Sequence, residues 1–446
     1  MTLAQNIVNH GVFSQTNTPP FSPDIERTPI YPLFLATILV VFGNSFRAII
    51  LLQILIGSIT ALLTFYIAKK LGHSALAGLI AAWIVAADPV TILLNNRLLT
   101  ETLFTFGLIL GVLLFIAYLH HNKLENLFLS AIVISLSALT RPIAQFLPIA
   151  LFPLFIVARK DKLLGRSMTN GFIFIFICGV LISSWCYRNY QASNVFTLSI
   201  ISDTNLFYYR ARAVLAETEN ITQEEAIERL QREIEAAATQ QNLSQSEIIS
   251  LQRKLALQIF SQYPTQTVIM VAKGAGRLLV DPGFTIICTM LDTSSLNYDC
   301  IPGKSSMLGS GLLNTAIQKF QEMTFIQQLT LLWGIIILGI IYFGLAGGVI
   351  HLVRERNWLN LFLLGIIILY FVVLSAGGET NYRFRAPILP FLAILAGVGY
   401  EAIYRYIYAY NKHRSDRFAP EKAAYQCSAV VKYSNLKTVK RDADKG

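Results

Sequence analysis

LLTETLFTFGLILGVLLFIAYL, residues Leu98–Leu119, carries no charge after Glu101. About 20 apolar residues cross a hydrocarbon core of roughly 30 Å, so this run reads as a membrane span. The rest of the chain has the same character. Of its 446 residues, 54% are hydrophobic and only 14% charged, with a mean hydropathy of +0.53. Soluble domains carry about 25% charged residues, so the composition excludes a cytosolic enzyme, a nucleic-acid-binding domain and a disordered scaffold.

Outward from Leu98–Leu119, further candidate spans fall near Ser45–Ala68, Ser74–Leu94, Asn126–Leu139 and Ile143–Ala158. Others lie near Thr169–Tyr187, Phe325–Ile350, Trp358–Ala376 and Pro387–Tyr408. The expected fold is an all-α integral membrane bundle of about nine transmembrane helices. The net charge of +10 is explained by topology rather than by a polyanion partner. Lys69 and Lys70, Lys123, Arg159 to Arg166, and Arg354 with Arg356 fall in alternate loops, and the tail from Lys412 to Lys445 is basic. Positive-inside places that tail in the cytoplasm of a multi-pass cell (inner) membrane protein.

Nine spans would then leave the N-terminus outside, although the first thirty residues are polar and hold no apolar leader. Either a helix precedes Met1, the favoured expectation, or Tyr31–Phe42 crosses despite its shortness. By length, Tyr31–Phe42 suits an interfacial or re-entrant segment. The longest polar stretch, Arg188 to Met323, faces the same outer side. It holds two capping boxes, Thr222-x-x-Glu225 and Ser244-x-x-Glu247, each opening a helical pattern. Tyr263-Pro264 ends the second. A small helical extracytoplasmic subdomain is expected, with too little core to stand alone. The resulting segments are 1–44 (outer loop and interfacial segment), 45–187 (first bundle), 188–324 (subdomain), 325–410 (C-terminal helices) and 411–446 (basic tail). Five scattered cysteines form no CxxC pair. Cys288 and Cys300 share the outer segment, where a bridge is plausible; the alternative is two free thiols.

Ionisable residues at membrane depth cost about 2.5–3.5 kcal/mol on insertion scales, which makes those present candidates for function. Nearly all are assigned to the outer face: Asp24, Glu26 and Arg27; Asp88, Arg97 and Glu101; Arg141; Arg188; Glu379, Arg383 and Arg385. The short outer loops contain arginine and no lysine. Guanidinium is always charged and forks onto phosphate oxygens, so the pattern suits an anionic, lipid-borne substrate. Simpler roles compete. Arg97 and Arg141 could snorkel, Arg383 and Arg385 could cap a span, Asp88 could cap a helix, and Glu101 could complement a helix dipole. No HExxH, GxSxG or Walker A pattern occurs.

The run Arg27-Thr-Pro-Ile-Tyr-Pro-Leu-Phe-Leu resembles the RTPGYPLFLA signature of bacterial polytopic glycosyltransferases. These belong to the dolichyl-phosphate-mannose:protein mannosyltransferase and aminoarabinose transferase superfamily, of GT-C fold (glycosyltransferase family 39-like). LLTETLFTF (Leu98–Phe106), SALTRPIAQFLP (Ser137–Pro148), SSWCYRNYQASNVFTLS (Ser183–Ser199) and GGETNYRFRAPILPFLAILAG (Gly377–Gly397) follow in the family's order. The resemblance implies transfer of a sugar from a polyprenyl-phosphate carrier to a lipid, glycan or protein acceptor at the extracytoplasmic face. It implies donor-phosphate binding by Arg27, Tyr31, Arg97, Arg141, Arg188, Tyr382, Arg383 and Arg385, with Glu101 as a supporting acid. The family's first-loop acid, its principal base, would lie upstream of Met1, and neither Asp24 nor Glu26 matches it. Metal use varies within such superfamilies. No spacing here fixes an ion, so no cofactor is expected with certainty and a divalent cation stays open. Two other readings remain: a transporter or flippase for a lipid-linked sugar, and a non-catalytic remnant.

Overall fold

The computed structural model describes residues 1–158, 164–291, 317 and 320–412, and no strand occurs among them. Helices α1 (Thr2–His10), α2 (Ile30–Phe42), α3 (Phe46–Gly72), α4 (Ala75–Ala87) and α5 (Pro89–Asn95) lead to α6 (Glu101–His121) and α7 (Leu124–Ala138). Next come α8 (Leu147–Val157), α9 (Leu164–Ser193), α10 (Ile201–Asn205), α11 (Arg212–Glu219), α12 (Gln223–Gln241) and α13 (Gln245–Gln262). The chain returns through α14 (Pro264–Val280) and α15 (Phe284–Leu291) to α16 (Phe325–Arg354), α17 (Trp358–Ser375) and α18 (389–412).

Five helices, α3, α6, α9, α16 and α17, are long and apolar enough to cross a membrane, six if α4 and α5 form one broken span. That is fewer than the nine expected. The run Ser74–Leu94 is bent by 59° at Asp88-Pro89. Pro89 lacks an N–H and starts a new helix, while Asp88 Oδ2 accepts from the Thr91 amide at 2.8 Å as its cap. The runs near Asn126–Leu139 and Ile143–Ala158 become the 15-residue α7 and the 11-residue α8, which follows a 3₁₀ turn at Pro142–Ala144. At 1.5 Å per residue, α7 rises only about 22 Å. Of the five long helices α6 is the most enclosed, with 56% of its apolar window buried. Phe104, Phe115, Phe174, Phe371 and Phe391 meet in the main core, together with the first turns of α18.

Helices α10 to α13 form a helical insert with a core of its own, in which Phe207, Val214, Leu230, Ile234 and Ile259 are buried. Both expected capping boxes are formed. Arg253 forks onto Asp203, at 2.6 and 2.8 Å, and ties α13 to α10. The Cys288–Cys300 pairing involves Cys300, which lies outside the described residues.

The caps make the insert acid-sensitive. The Thr222 amide, then its hydroxyl, holds the Glu225 carboxyl below its ordinary range, and the Ser244 hydroxyl, then its amide, does the same to Glu247. A carboxylate depressed by folding stabilises the fold above its unfolded pKa, about 4.3, and loses that contribution as pH falls through the folded value. Acidification below roughly pH 4 should therefore fray the first turns of α12 and α13. A Glu225→Gln/Glu247→Gln double variant, whose helicity is followed by far-UV circular dichroism, should lose this acid limb.

Candidate active site

Glu101 is the first residue of α6 and only 1% exposed. A buried carboxylate needs partners, and two arginines supply them. Arg141 Nη1 lies 2.8 Å from Glu101 Oε1; Arg383 Nε and Nη2 lie 2.8 and 2.7 Å from the same oxygen. The two arginines come from chain segments more than two hundred residues apart.

Local sequence explains how each arrives. Arg141 precedes Pro142, which disfavours helix at residue 141, and its backbone is extended at φ −142°, ψ 121°. α7 therefore stops and the side chain turns back over α6. Its guanidinium lies 5.8 Å from both the Phe104 and the Phe384 ring centroids. Arg383 sits in a 3₁₀ turn, Tyr382–Arg385, opened by Asn381, whose Oδ1 accepts from the Arg383 amide at 3.0 Å. The Arg141 side chain is 15% exposed and that of Arg383 36%. Among the described residues, neither Arg141 Nη2 nor Arg383 Nη1 has a protein acceptor. One carboxylate faces two guanidinium groups, so the cluster keeps one net positive charge and open donors on its wet side.

Tyr31 and the Arg97 backbone are joined through Gln53, and Tyr382 precedes Arg383 in its turn. The Tyr31 hydroxyl donates to Gln53 Oε1 at 2.9 Å, and Gln53 Nε2 donates to the carbonyls of Asn95 and Arg97 at 3.0 and 2.7 Å. Thr102 Oγ1 donates to Asn95 Oδ1 at 2.7 Å, closing a network that holds the α5–α6 loop against α3. Burial pushes the Tyr382 hydroxyl up in pKa, while Arg383 and then Arg97 pull it down, so both cations stand within its electrostatic reach.

The other three arginines do different work. Arg27 is half-exposed and pairs with Glu26 at 3.4 Å. Arg188 donates to the Asp24 carbonyl at 2.5 Å and stacks on Phe13 and Trp185, so it anchors the N-terminal strap. That strap is further held by Ser199 on the Glu26 carbonyl and by Thr28 Oγ1 on the Thr140 carbonyl at 2.8 Å. Arg385 is buried and donates to the Asp281 carbonyl at 2.5 Å, with Leu278 O at 3.5 Å, thereby capping the C-terminal end of α14. None of Arg27, Arg188 and Arg385 contacts Glu101, Arg141 or Arg383 among the described residues: Arg188 and Arg385 donate to backbone carbonyls, and Arg27 pairs with Glu26. Asp24 is committed too, accepting from the Arg27 amide at 2.8 Å and from Gln15.

Sequence reasoning missed Gln53, although a lone amide inside FRAIILLQILIG was a visible signal, since polar groups at membrane depth need a reason. It also missed the approach of the Phe104 and Phe384 rings to Arg141. A cavity of about 20 Å³ lies against Glu101, lined by Thr60, Thr91, Asn95, Thr102 and Thr105. Such a volume holds one water, not a sugar ring. Among the described residues, no three His, Cys, Asp or Glu side chains gather as a metal ion would require.

Residues 26–187 match the model of the family described as dolichyl-phosphate-mannose-protein mannosyltransferase. This segment is similar to that family of mannosyltransferases. It spans a little over a third of the chain and contains Tyr31, Arg97, Glu101 and Arg141, while Tyr382 and Arg383 lie outside it. A search of curated proteins gave no match. Among solved structures, the crystal structure of ArnT from Cupriavidus metallidurans in the apo state aligns at 13% identity, covering 90% of this chain and 72% of that one, with a TM-score of 0.36. A likeness at that score carries no weight for the site. Its apolar helices make the chain a multi-pass membrane protein, with one segment similar to that family.

Proposed function

We propose that the chain is a GT-C glycosyltransferase that moves a sugar from a polyprenyl-phosphate carrier to a lipid, glycan or protein acceptor at the extracytoplasmic face of the cell membrane. The observation that carries the reading is the pinning of buried Glu101 by Arg141 and Arg383, with one net positive charge left over. An acceptor hydroxyl attacks the anomeric carbon and gives up its proton to water as the bond from that carbon to the phosphate oxygen breaks. The electron pair stays on the phosphate, which gains one negative charge. Open guanidinium edges on Arg141 and Arg383 stabilise that charge as it develops, an interaction stronger in the transition state than in the ground state. Direct displacement inverts the anomeric centre.

Glu101 orients rather than abstracts, because the oxygen facing the arginines already accepts three hydrogen bonds. Asp24 closes a turn and Glu26 pairs with Arg27, so neither is the base that takes the acceptor's proton. The cationic loops at Lys69, Lys123 and Arg354 support a cytoplasmic C-terminus, which leaves the arginine face outside.

The purified full chain, offered undecaprenyl-phosphate sugars and nucleotide sugars with a membrane-fraction acceptor, should transfer only from the former. Transfer from nucleotide sugars alone would overturn the reading.

A further inference from the structure

The turn that leads to Arg383 is gripped by the helical insert through one ion pair. Arg210 Nε donates to Glu379 Oε1 at 2.8 Å, Arg210 Nη2 lies 2.8 Å from the same oxygen, and Nη2 also donates to the Leu374 carbonyl at 2.6 Å. The Glu379 side chain is 9% exposed and its Oε2 is buried without a hydrogen-bond partner. Arg210 lies in a six-residue π-helical stretch, Leu206–Ala211, that links α10 to α11. π turns are rare and concentrate where a side chain must be re-aimed.

The backbone is shaped for this contact. A Cβ on Gly377 would stand 2.4 Å from Glu379 Oε2 and 2.7 Å from Arg210 Nε, and one on Gly378 would stand 2.3 Å from the Tyr209 carbonyl. Thr380 Oγ1 closes the turn, accepting from the Gly377 amide at 2.6 Å and reaching the Ser375 carbonyl at 2.7 Å. From there Asn381 caps the 3₁₀ turn that aims Arg383 at Glu101. A π turn and a half-satisfied buried carboxylate are both local costs. Two such features at one joint mark a geometry retained for something other than stability.

We infer that Arg210 and Glu379 are a positioning pair that sets where Arg383 stands over Glu101, coupling the helical insert to the arginine cluster. The inference rests on the reading of Arg383 as a phosphate ligand. Neither residue of the pair touches substrate; each acts through Arg383.

The test is the affinity of the purified full-length chain for undecaprenyl phosphate, measured by native mass spectrometry. Hydrogen exchange across α12 and α13 serves as the control for folding. Arg210→Ala and Gly377→Ala should weaken binding about tenfold, as a displaced positioning contact does, with α12–α13 protection unchanged. Arg210→Lys, which keeps the charge and loses the fork, should fall between; it decides the matter if Arg210→Ala does not fold. The exchanged pair Arg210→Glu/Glu379→Arg should regain part of the affinity. Wild-type binding by Arg210→Lys or Arg210→Ala, alongside lost binding in Arg383→Ala, would overturn the coupling and leave the phosphate reading intact. Wild-type binding by Arg383→Ala would remove both.

Discussion

Replacing Arg383 with alanine should lower transfer from an undecaprenyl-phosphate sugar about 10²–10³-fold, the usual cost of removing one preorganised donor from a developing anion. The effect should fall mainly on kcat, because the charge that Arg383 meets grows as the carrier phosphate leaves. Folding should survive, since the Arg383 side chain is 36% exposed and Glu101 keeps Arg141 at 2.8 Å. Steady-state kinetics with saturating acceptor would separate kcat from KM. An unchanged kcat with a raised KM would mean that Arg383 merely docks the head group. Arg385→Ala is the matched control. It should instead lower thermal stability, because its guanidinium satisfies the end of α14 and not the cluster.

Replacing Glu101 with alanine should do more damage to the fold than to any single catalytic step. It leaves Arg141, 15% exposed, beside Arg383 with no carboxylate between them. Removing one partner of a buried ion pair costs about 3–5 kcal/mol; screening at the partly exposed Arg383 puts the expectation near 3 kcal/mol. Glu101→Gln keeps the shape and one acceptor oxygen, and so should be milder in stability while still losing transfer, because the two cations are no longer held together. Detergent melting curves for both variants, with activity measured well below the midpoint, distinguish the two effects. Full activity in Glu101→Gln would reduce the residue to a helix cap.

Much of this was legible in the chain's apolar rhythm. Leu98–Leu119 announced α6, and Thr222 and Ser244 announced α12 and α13 through local chemistry that needs no tertiary partner. The meeting of Glu101, Arg141 and Arg383 was reachable because charges at membrane depth have few places to go. Which arginines would meet was the part that could not be read. Arg188 and Arg385 donate to the Asp24 and Asp281 carbonyls, and backbone acceptors leave no trace in sequence. The bend at Asp88-Pro89 was signalled by the dipeptide and hidden by the unbroken hydropathy around it. Arg210 and Glu379 lie 169 residues apart, and only the folded turn brings them together.

The rings of Phe104 and Phe384 also restrict how Arg141 can be approached. Each ring centroid stands 5.8 Å from the guanidinium carbon, so aromatic carbon occupies part of the space around it. Glu101 already occupies the Nη1 side, so an incoming anion is left with what the rings and the carboxylate do not cover. The rings and the carboxylate thus narrow the bearings from which a second charge can reach this residue.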